Sequence, residues 1–245
     1  INLIHLATFA MDTYGNDPCA EFYPKILVED KLDERNKTLL AQMHKAISVL
    51  QFKLESQLFE RYPFWKMQDR ELLKQVDYKK GTITLNGVVY NMRSCHFPTI
   101  DPNNPNALTP EEQTLIDRLQ QSFKTSERLQ EHIRQLLLHG RMYRIINHNL
   151  LYHASIPLTE EGKLKEVEIY PELKACGREL LHNIEVIVRR AFQKGTESDG
   201  GIDPQYAIDF FLYLWCGPES PLFDKAKMAT FERYFVADKT LHKET

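Results

Sequence analysis

The chain has 245 residues, of which 42% are hydrophobic, 27% charged and 11% aromatic, the composition of an ordinary globular protein able to bury a sizeable core. Its net charge is −3 with lysines and arginines scattered, which argues against a basic footprint for nucleic acid or an anionic membrane. No apolar run approaches the roughly 18 residues that span a bilayer. The four cysteines, Cys19, Cys95, Cys176 and Cys216, stand too far apart for a CxxC pair and read as thiols of a reducing compartment.

Residues 1–30 are short apolar runs broken by the turn cluster Tyr14-Gly15-Asn16-Asp17-Pro18. A helix is predicted from about Glu34 to Phe59, where Leu39, Leu40, Met43, Ile47, Leu50 and Leu54 recur at helical spacing. A shorter helix is predicted from Met67 to Val76. Gly81 to Tyr90 reads as a β-hairpin, its Asn86-Gly87 pair supplying the positive φ angles of a two-residue turn. Thr109-Pro110-Glu111-Glu112 is a capping box that opens two helices, roughly 110–122 and 126–138, the second stopped by Gly140.

A strand from Met142 to Ile146 turns through Asn147-His148-Asn149 into a second short strand, Leu150-Leu151-Tyr152, that runs out at His153. Alternation puts Leu151 and His153 on one face. A further strand is expected from Lys165 to Tyr170, then a helix from about Gly177 to Lys194 that Gly195 stops. Ser198-Asp199-Gly200-Gly201 is a flexible break. Asp203-Pro204 opens a last long helix carrying Phe210, Phe211, Leu214 and Trp215. The organisation is α+β, mainly helical over residues 1–140, with β-structure clustered around the histidine. Ile1 and Thr245 both fall within ordinary sequence, so the chain is expected to be an internal piece of a longer protein.

The run Asn149-Leu150-Leu151-Tyr152-His153-Ala154-Ser155-Ile156-Pro157 resembles the N-L-L-x-H-G-x-x-P segment of calcineurin-like metallophosphoesterases. Five further stretches narrow the likeness: Lys45-Ala46-Ile47 leading into Gln51-Phe52-Lys53-Leu54-Glu55, Ile83-Thr84-Leu85-Asn86-Gly87, Gly177-Arg178-Glu179-Leu180-Leu181, Tyr213-Leu214-Trp215-Cys216-Gly217 and Phe231-Glu232-Arg233-Tyr234-Phe235. Together they resemble the class III fructose-1,6-bisphosphatases of Firmicutes and Bacteroidetes-like bacteria. The resemblance implies a mainly helical insertion or cap over 1–140, with the hairpin near 81–90. Residues 141–245 would be part of a metallophosphoesterase α/β sandwich with flanking helices.

It further implies hydrolysis of the 1-phosphate of fructose 1,6-bisphosphate by two-metal catalysis, in gluconeogenesis and in the cytoplasm. The metal implied is divalent, manganese or alternatively magnesium. The expected partner is a sugar bisphosphate, with a homo-oligomer left open and neither nucleic acid nor membrane expected. The family's other ligand motifs, Asp-x-His, Gly-Asp-x-x-Asp-Arg, Gly-Asn-His-Asp and a later Gly-His, do not occur here; by order they would precede Ile1 and follow Thr245. Ala154 stands where the family's segment has glycine. Two alternatives remain: a different metallophosphoesterase, acting on phosphoproteins or dinucleoside polyphosphates, and a non-catalytic helical assembly or regulatory domain.

The resemblance makes His153 a metal ligand, since a neutral imidazole is a good donor once a neighbour fixes its second nitrogen. Without it, a lone histidine at a strand end is more often a structural or surface residue. Arg178, at the start of a helix, and Arg233, among Phe231, Tyr234 and Phe235, are candidates for substrate phosphate because guanidinium forks suit that dianion. The plainer assignment of each is a structural salt bridge or stacked cation. No residue is assigned as catalytic acid or base; Asp12, Asp30 and Asp209 are not tied to His153 by any spacing. His148 reads as a solvated turn residue, and Cys95-His96 lacks the second pair of a zinc site. Lys45, Lys53, Glu55 and Arg189-Arg190 read as solvated helix faces, and Trp215 as core.

Overall fold

The computed structural model describes residues 3–24, 33–192 and 201–243. The fold is α+β: among the described residues it has seven α-helices, several 3-10 turns and three small antiparallel sheets. The chain divides into two compact units, the first drawn from Ile1–Arg61, Gln68–His132 and Ala229–Lys243, the second from Tyr62–Met67 and Ile133–Met228. The boundary between these units falls inside a helix at 132/133, and residues 229–243 belong to the first unit.

In the first unit α1 (Ile4–Tyr14) buries Leu6, Ala10 and Tyr14, spaced four residues apart, and packs on α2 (Glu34–Arg61). The sequence hid α1 because most of its residues are apolar, which blurs the helical period. α2 has the expected extent, but its buried face only partly follows the expected stripe: Leu50 is buried and Met43 and Ile47 half-buried against the core, whereas Leu40 is exposed. The rest of that face is Ala41, Gln42, Lys45, Ala46, Val49, Phe52, Lys53 and Ser56. The expected helix from Met67 to Val76 is instead two 3-10 turns, Gln68–Arg70 and Leu72–Gln75. Side chains there take carbonyls that an α-helix would use: the Gln75 amide donates to Asp69 O (2.8 Å) and the Tyr78 hydroxyl to Leu73 O (2.7 Å).

The hairpin of β2 (Thr82–Leu85) and β3 (Val88–Asn91) turns through Asn86 (φ 49°) and Gly87 (φ 77°), as its sequence requires, and a short β1 (Val76–Asp77) pairs with β2. The Thr109–Glu112 capping box opens α3 (Pro110–Lys124), and α4 (Glu127–His139) follows. α7 (Thr230–Phe235) delivers Phe231 and Phe235 to the core, where their rings lie 5.1 Å from Phe52 and 4.9 Å from Phe97 respectively. Backbone bonds from Arg93 N to Phe235 O (2.8 Å) and from Ala237 N to Asn91 O (2.9 Å) tie this segment to β3. That pairing keeps residues 229–243 in the first unit.

The second unit is built on α5 (Gly177–Arg190) and α6 (Pro204–Cys216). Leu180, Leu181, Ile184 and Ile187 of the one pack with Tyr206, Phe210, Tyr213 and Leu214 of the other to make its core. Asp203 caps α6 by accepting from Gln205 N, with Pro204 at the first position. The expected strand is β6 (Val167–Tyr170), which hairpins with an unanticipated β7 (Leu173–Ala175) through Glu172 in a left-handed conformation (φ 67°). Trp65 and Tyr62 pack against Tyr206, whose hydroxyl donates to Ile169 O. The expected stop of α5 at Lys194-Gly195 and most of the break at 198–201 lie outside the described residues, as does Asp30.

Candidate functional site

The histidine segment forms a two-stranded ribbon, β4 (Tyr143–Ile146) against β5 (Asn149–Tyr152), in the register Tyr143↔Tyr152 and Ile146↔Asn149. Its two-residue turn places Asn147 (φ 50°) and His148 (φ 62°) both in the left-handed region, the backbone of a type I′ hairpin. Asn149 steadies the turn by donating from its amide to Asn147 O (3.0 Å). The strand ends at Tyr152, so His153 is the first residue beyond it, and Ser155 N then anchors the chain to Pro221 O at 3.2 Å.

The His153 side chain is exposed and makes no hydrogen bond or ion pair with the described chain. It lines a cavity of about 560 Å³ in the second unit, with Met142, Glu185, Arg189, Leu214 and Trp215 among the other walls. The Glu185 carboxylate accepts from Met142 N (2.7 Å) and lies 3.9 Å from Arg189. Arg189 itself donates to Leu137 O and to Gly140 O (3.3 Å). The acid and the guanidinium thus serve the backbone that leaves α4, and the remaining wall is mostly apolar. Trp215 does not belong to the core: it is 58% exposed and faces this cavity, because Tyr206, Phe210, Tyr213 and Leu214 occupy the buried stripe of α6.

Arg178, the second residue of α5, is exposed and donates from Nε to the Tyr143 hydroxyl at 2.8 Å. Arg178 and His153 therefore belong to the same unit, whereas Arg233 belongs to the other. Arg233 is exposed on α7, and the apolar setting suggested by its neighbours is absent, since Phe231 and Phe235 turn inward. The charged residue buried there is Glu232, held by both nitrogens of the Arg70 fork at 2.7 and 3.0 Å.

Two lysines read as solvated are fully buried. Lys45 donates to Asp17 (2.7 Å), which also bonds the His96 ring (2.8 Å), with Glu21 at 3.5 Å. Partial burial would raise the Asp17 carboxyl, but hydrogen bonds from Lys45, Cys19 N and His96 outweigh it and hold the group at about 2. Lys53 donates to Glu112 and to Thr99 O, both at 2.7 Å. Burial pushes Glu55 up to about 7, against the opposing pull of a hydrogen bond from Gln51 and the charge of Arg70. Arg190 is also buried. The signal in the sequence was spacing: Gln42, Lys45, Ala46, Val49 and Lys53 follow one helical stripe. Asp209, another acid candidate, accepts from Tyr62 (2.8 Å) and Gln205 (2.9 Å); Asp12 is exposed. His148 is exposed in its turn, and the four cysteines form no disulfide.

Among the described residues no group of three or more His, Cys, Asp or Glu is placed to hold a metal ion, and none of the helices is long and apolar enough to cross a membrane. His153 supplies a single donor, so the described residues do not by themselves fit a two-metal centre.

Along its whole length, residues 1–245, the sequence matches the model of the Firmicute fructose-1,6-bisphosphatase family. The chain belongs to that family. It is 50% identical over 245 residues to the class 3 fructose-1,6-bisphosphatase of Porphyromonas gingivalis, covering all of this chain and 37% of that protein. The corresponding enzymes of Bacteroides fragilis and Clostridium tetani are each 48% identical, over 246 and 244 residues, with 100% of this chain and 36% of each protein covered. The chain thus spans little more than a third of the length of these curated fructose-1,6-bisphosphatases. No solved structure matches it.

Proposed function

We propose that this chain is part of a fructose-1,6-bisphosphatase that hydrolyses the 1-phosphate of fructose 1,6-bisphosphate, in the cytoplasm and in gluconeogenesis. In this reading residues 1–140 are a helical insertion and 141–245 are part of a metallophosphoesterase sandwich. His153 donates one imidazole to a divalent metal, manganese or magnesium, whose remaining donors lie in polypeptide beyond this chain. Two such cations would neutralise the phosphoryl oxygens and activate a water. Arg178 and Arg233 are the candidates to hold substrate phosphate.

The observation that carries the reading is the family match over the entire chain, at 48–50% identity to the enzymes named above. The ribbon supports it. Ile145, Ile146, Leu150, Leu151 and Tyr152 are 46–67% exposed although they occupy both faces of the ribbon. A strand apolar on both faces has the pattern of one covered on both sides, and a lone two-stranded ribbon is marginal in water. In the proposed sandwich, further polypeptide covers it.

The test is phosphate release from fructose 1,6-bisphosphate by the full-length protein with Mn²⁺, beside a panel of phosphoprotein and dinucleoside polyphosphate substrates. His153→Ala should sharply lower both turnover and bound metal, and the 245-residue piece alone should be inactive. Unchanged metal content in His153→Ala would remove this residue from the site. Strong release by the piece alone would overturn the account of missing donors.

A further inference from the structure

The geometry points to a sugar-phosphate cleft on the second unit, formed by Arg141, Tyr143, Arg144, Arg178 and His182. It deepens the proposed reading and rests on it for one assignment: the group bound is the substrate phosphate that is not cleaved.

Two hollows of about 420 and 380 Å³ share Tyr143 and His182 and so form one trough between β4 and α5. Arg178, His182 and Glu185 are spaced by four and then three residues along α5, which puts them on one helical face. Opposite, β4 supplies Tyr143 and Arg144, with Arg141 just before it. The Tyr143 hydroxyl accepts from Arg178 Nε at 2.8 Å, and Arg178 makes no other hydrogen bond among the described residues. Its two terminal amino groups are therefore oriented but uncommitted, the arrangement a phosphate fork requires.

Arg144 spends one nitrogen on His139 O (3.3 Å) and Arg141 one on Gly140 O (2.7 Å), so each keeps further donors. Against these three guanidinium groups the trough has two carboxylates, and Glu185 is engaged by Met142 N. Glu179 has no partner among the described residues and, beside a phosphate, is an acceptor for sugar hydroxyls. The trough and the His153 cavity share Arg141 and Glu185 as walls, so the two hollows are neighbours on the second unit.

The test is calorimetric titration of fructose 6-phosphate into the full-length protein in EDTA, where no metal contributes. Wild type should bind, fructose should not, and inorganic phosphate should compete. Loss of charge-assisted forks in Arg144→Gln/Arg178→Gln should weaken binding by about a hundredfold, and Arg178→Gln alone by about tenfold. Tyr143→Phe, which removes only the orienting hydroxyl, should weaken it by about threefold. Equal binding by wild type and the double variant, or no binding by wild type, overturns the cleft.

With Mn²⁺ restored, a matching rise in KM for the bisphosphate at unchanged kcat assigns the cleft to substrate. An unchanged KM with weakened binding of fructose 6-phosphate assigns it to a separate sugar phosphate. A fall in kcat at unchanged KM, with binding intact, counts against the cleft. Wild type that binds in EDTA but releases no phosphate from the bisphosphate sinks the phosphatase reading and leaves the cleft standing.

Discussion

Lys53 is the residue whose replacement tests the packing of the first unit most directly. Its side chain is 0% exposed and that of Glu112 is 1%, and the two meet at 2.7 Å. The same Glu112 oxygen accepts from Thr109 N at 2.8 Å, completing the capping box of α3, so one carboxylate joins α2 to the start of α3. In Lys53→Met the volume is kept and the countercharge lost. The Glu112 carboxylate is then buried with a single backbone donor, which costs about 3–5 kcal/mol. Glu112→Gln keeps the acceptor of the capping box but strands the ammonium, at a similar cost. The double variant removes both charges and leaves chiefly Thr99 O short of a donor, a penalty of about 1–3 kcal/mol. The pair changed together should be more stable than either single variant.

Trp65 and Trp215 both belong to the second unit, so intrinsic tryptophan fluorescence is not the probe for this one. Amide hydrogen exchange of α2 and α3 peptides in the full-length protein reads the opening of the first unit itself. A loss of about 3–5 kcal/mol corresponds to exchange roughly 10² to 10³·⁵ times faster, with about 1.4 kcal/mol per decade. The double variant should recover at least one of those decades. A Lys53→Met protein whose peptides exchange within about tenfold of wild type would refute the reasoning. Additive losses in the double variant would do the same.

Glu55, held at about 7, is protonated in the folded chain through a range where the unfolded chain has already ionised. Its contribution is therefore full below about 4.5 and lost as pH rises through 7, so Glu55→Gln should raise the Tm at pH 8 and leave it unchanged at pH 4.5. Asp17 has the opposite sign: with its folded value near 2, its contribution is full above about 3.8 and lost as pH falls toward 2. An acid titration of Asp17→Asn should lack that part of the slope; the wild-type slope in the variant would exclude Asp17 as its source. Trp215→Ala should shift stability by less than about 1 kcal/mol and Phe210→Ala by about 3–5 kcal/mol, measured by denaturant midpoints. The reverse order would return Trp215 to the core.

What was legible in the sequence was local. Asn86-Gly87 dictated a turn by its φ angles, Thr109-Pro110-Glu111-Glu112 dictated a helix start, and Asp203-Pro204 another; each stands as read. α2 follows from its period, but only part of its buried face does: Leu50 is buried as the spacing requires, while Lys45, Lys53, Gln42, Ser48 and Ser56 lie on the same face and are polar. Their burial depends on partners that arrive from far along the chain: Asp17 lies 28 residues from Lys45, and Glu112 lies 59 from Lys53. Periodicity carries no information about a countercharge at that distance, so the solvated default for a helical lysine fails at Lys45 and Lys53.

The candidate site follows the same rule from the other side. His153 could be singled out because a turn, a strand and a break surround it within eleven residues. Arg178 gained its orientation only from Tyr143, 35 residues earlier, and Arg233 lost its apolar setting because α7 points its aromatic residues inward. A histidine with no bond to the described residues, and an arginine fork whose two ends meet none of them, are costly to leave unused only where solvent is excluded; here both are exposed, and folding of this chain does not demand them. Their orientation therefore bears on ligand rather than on stability. Substituting His153, Arg144 or Arg178 should leave the exchange rates of the α5 and α6 peptides unchanged while metal or phosphate binding falls. Faster exchange in step with lost binding would make them structural after all.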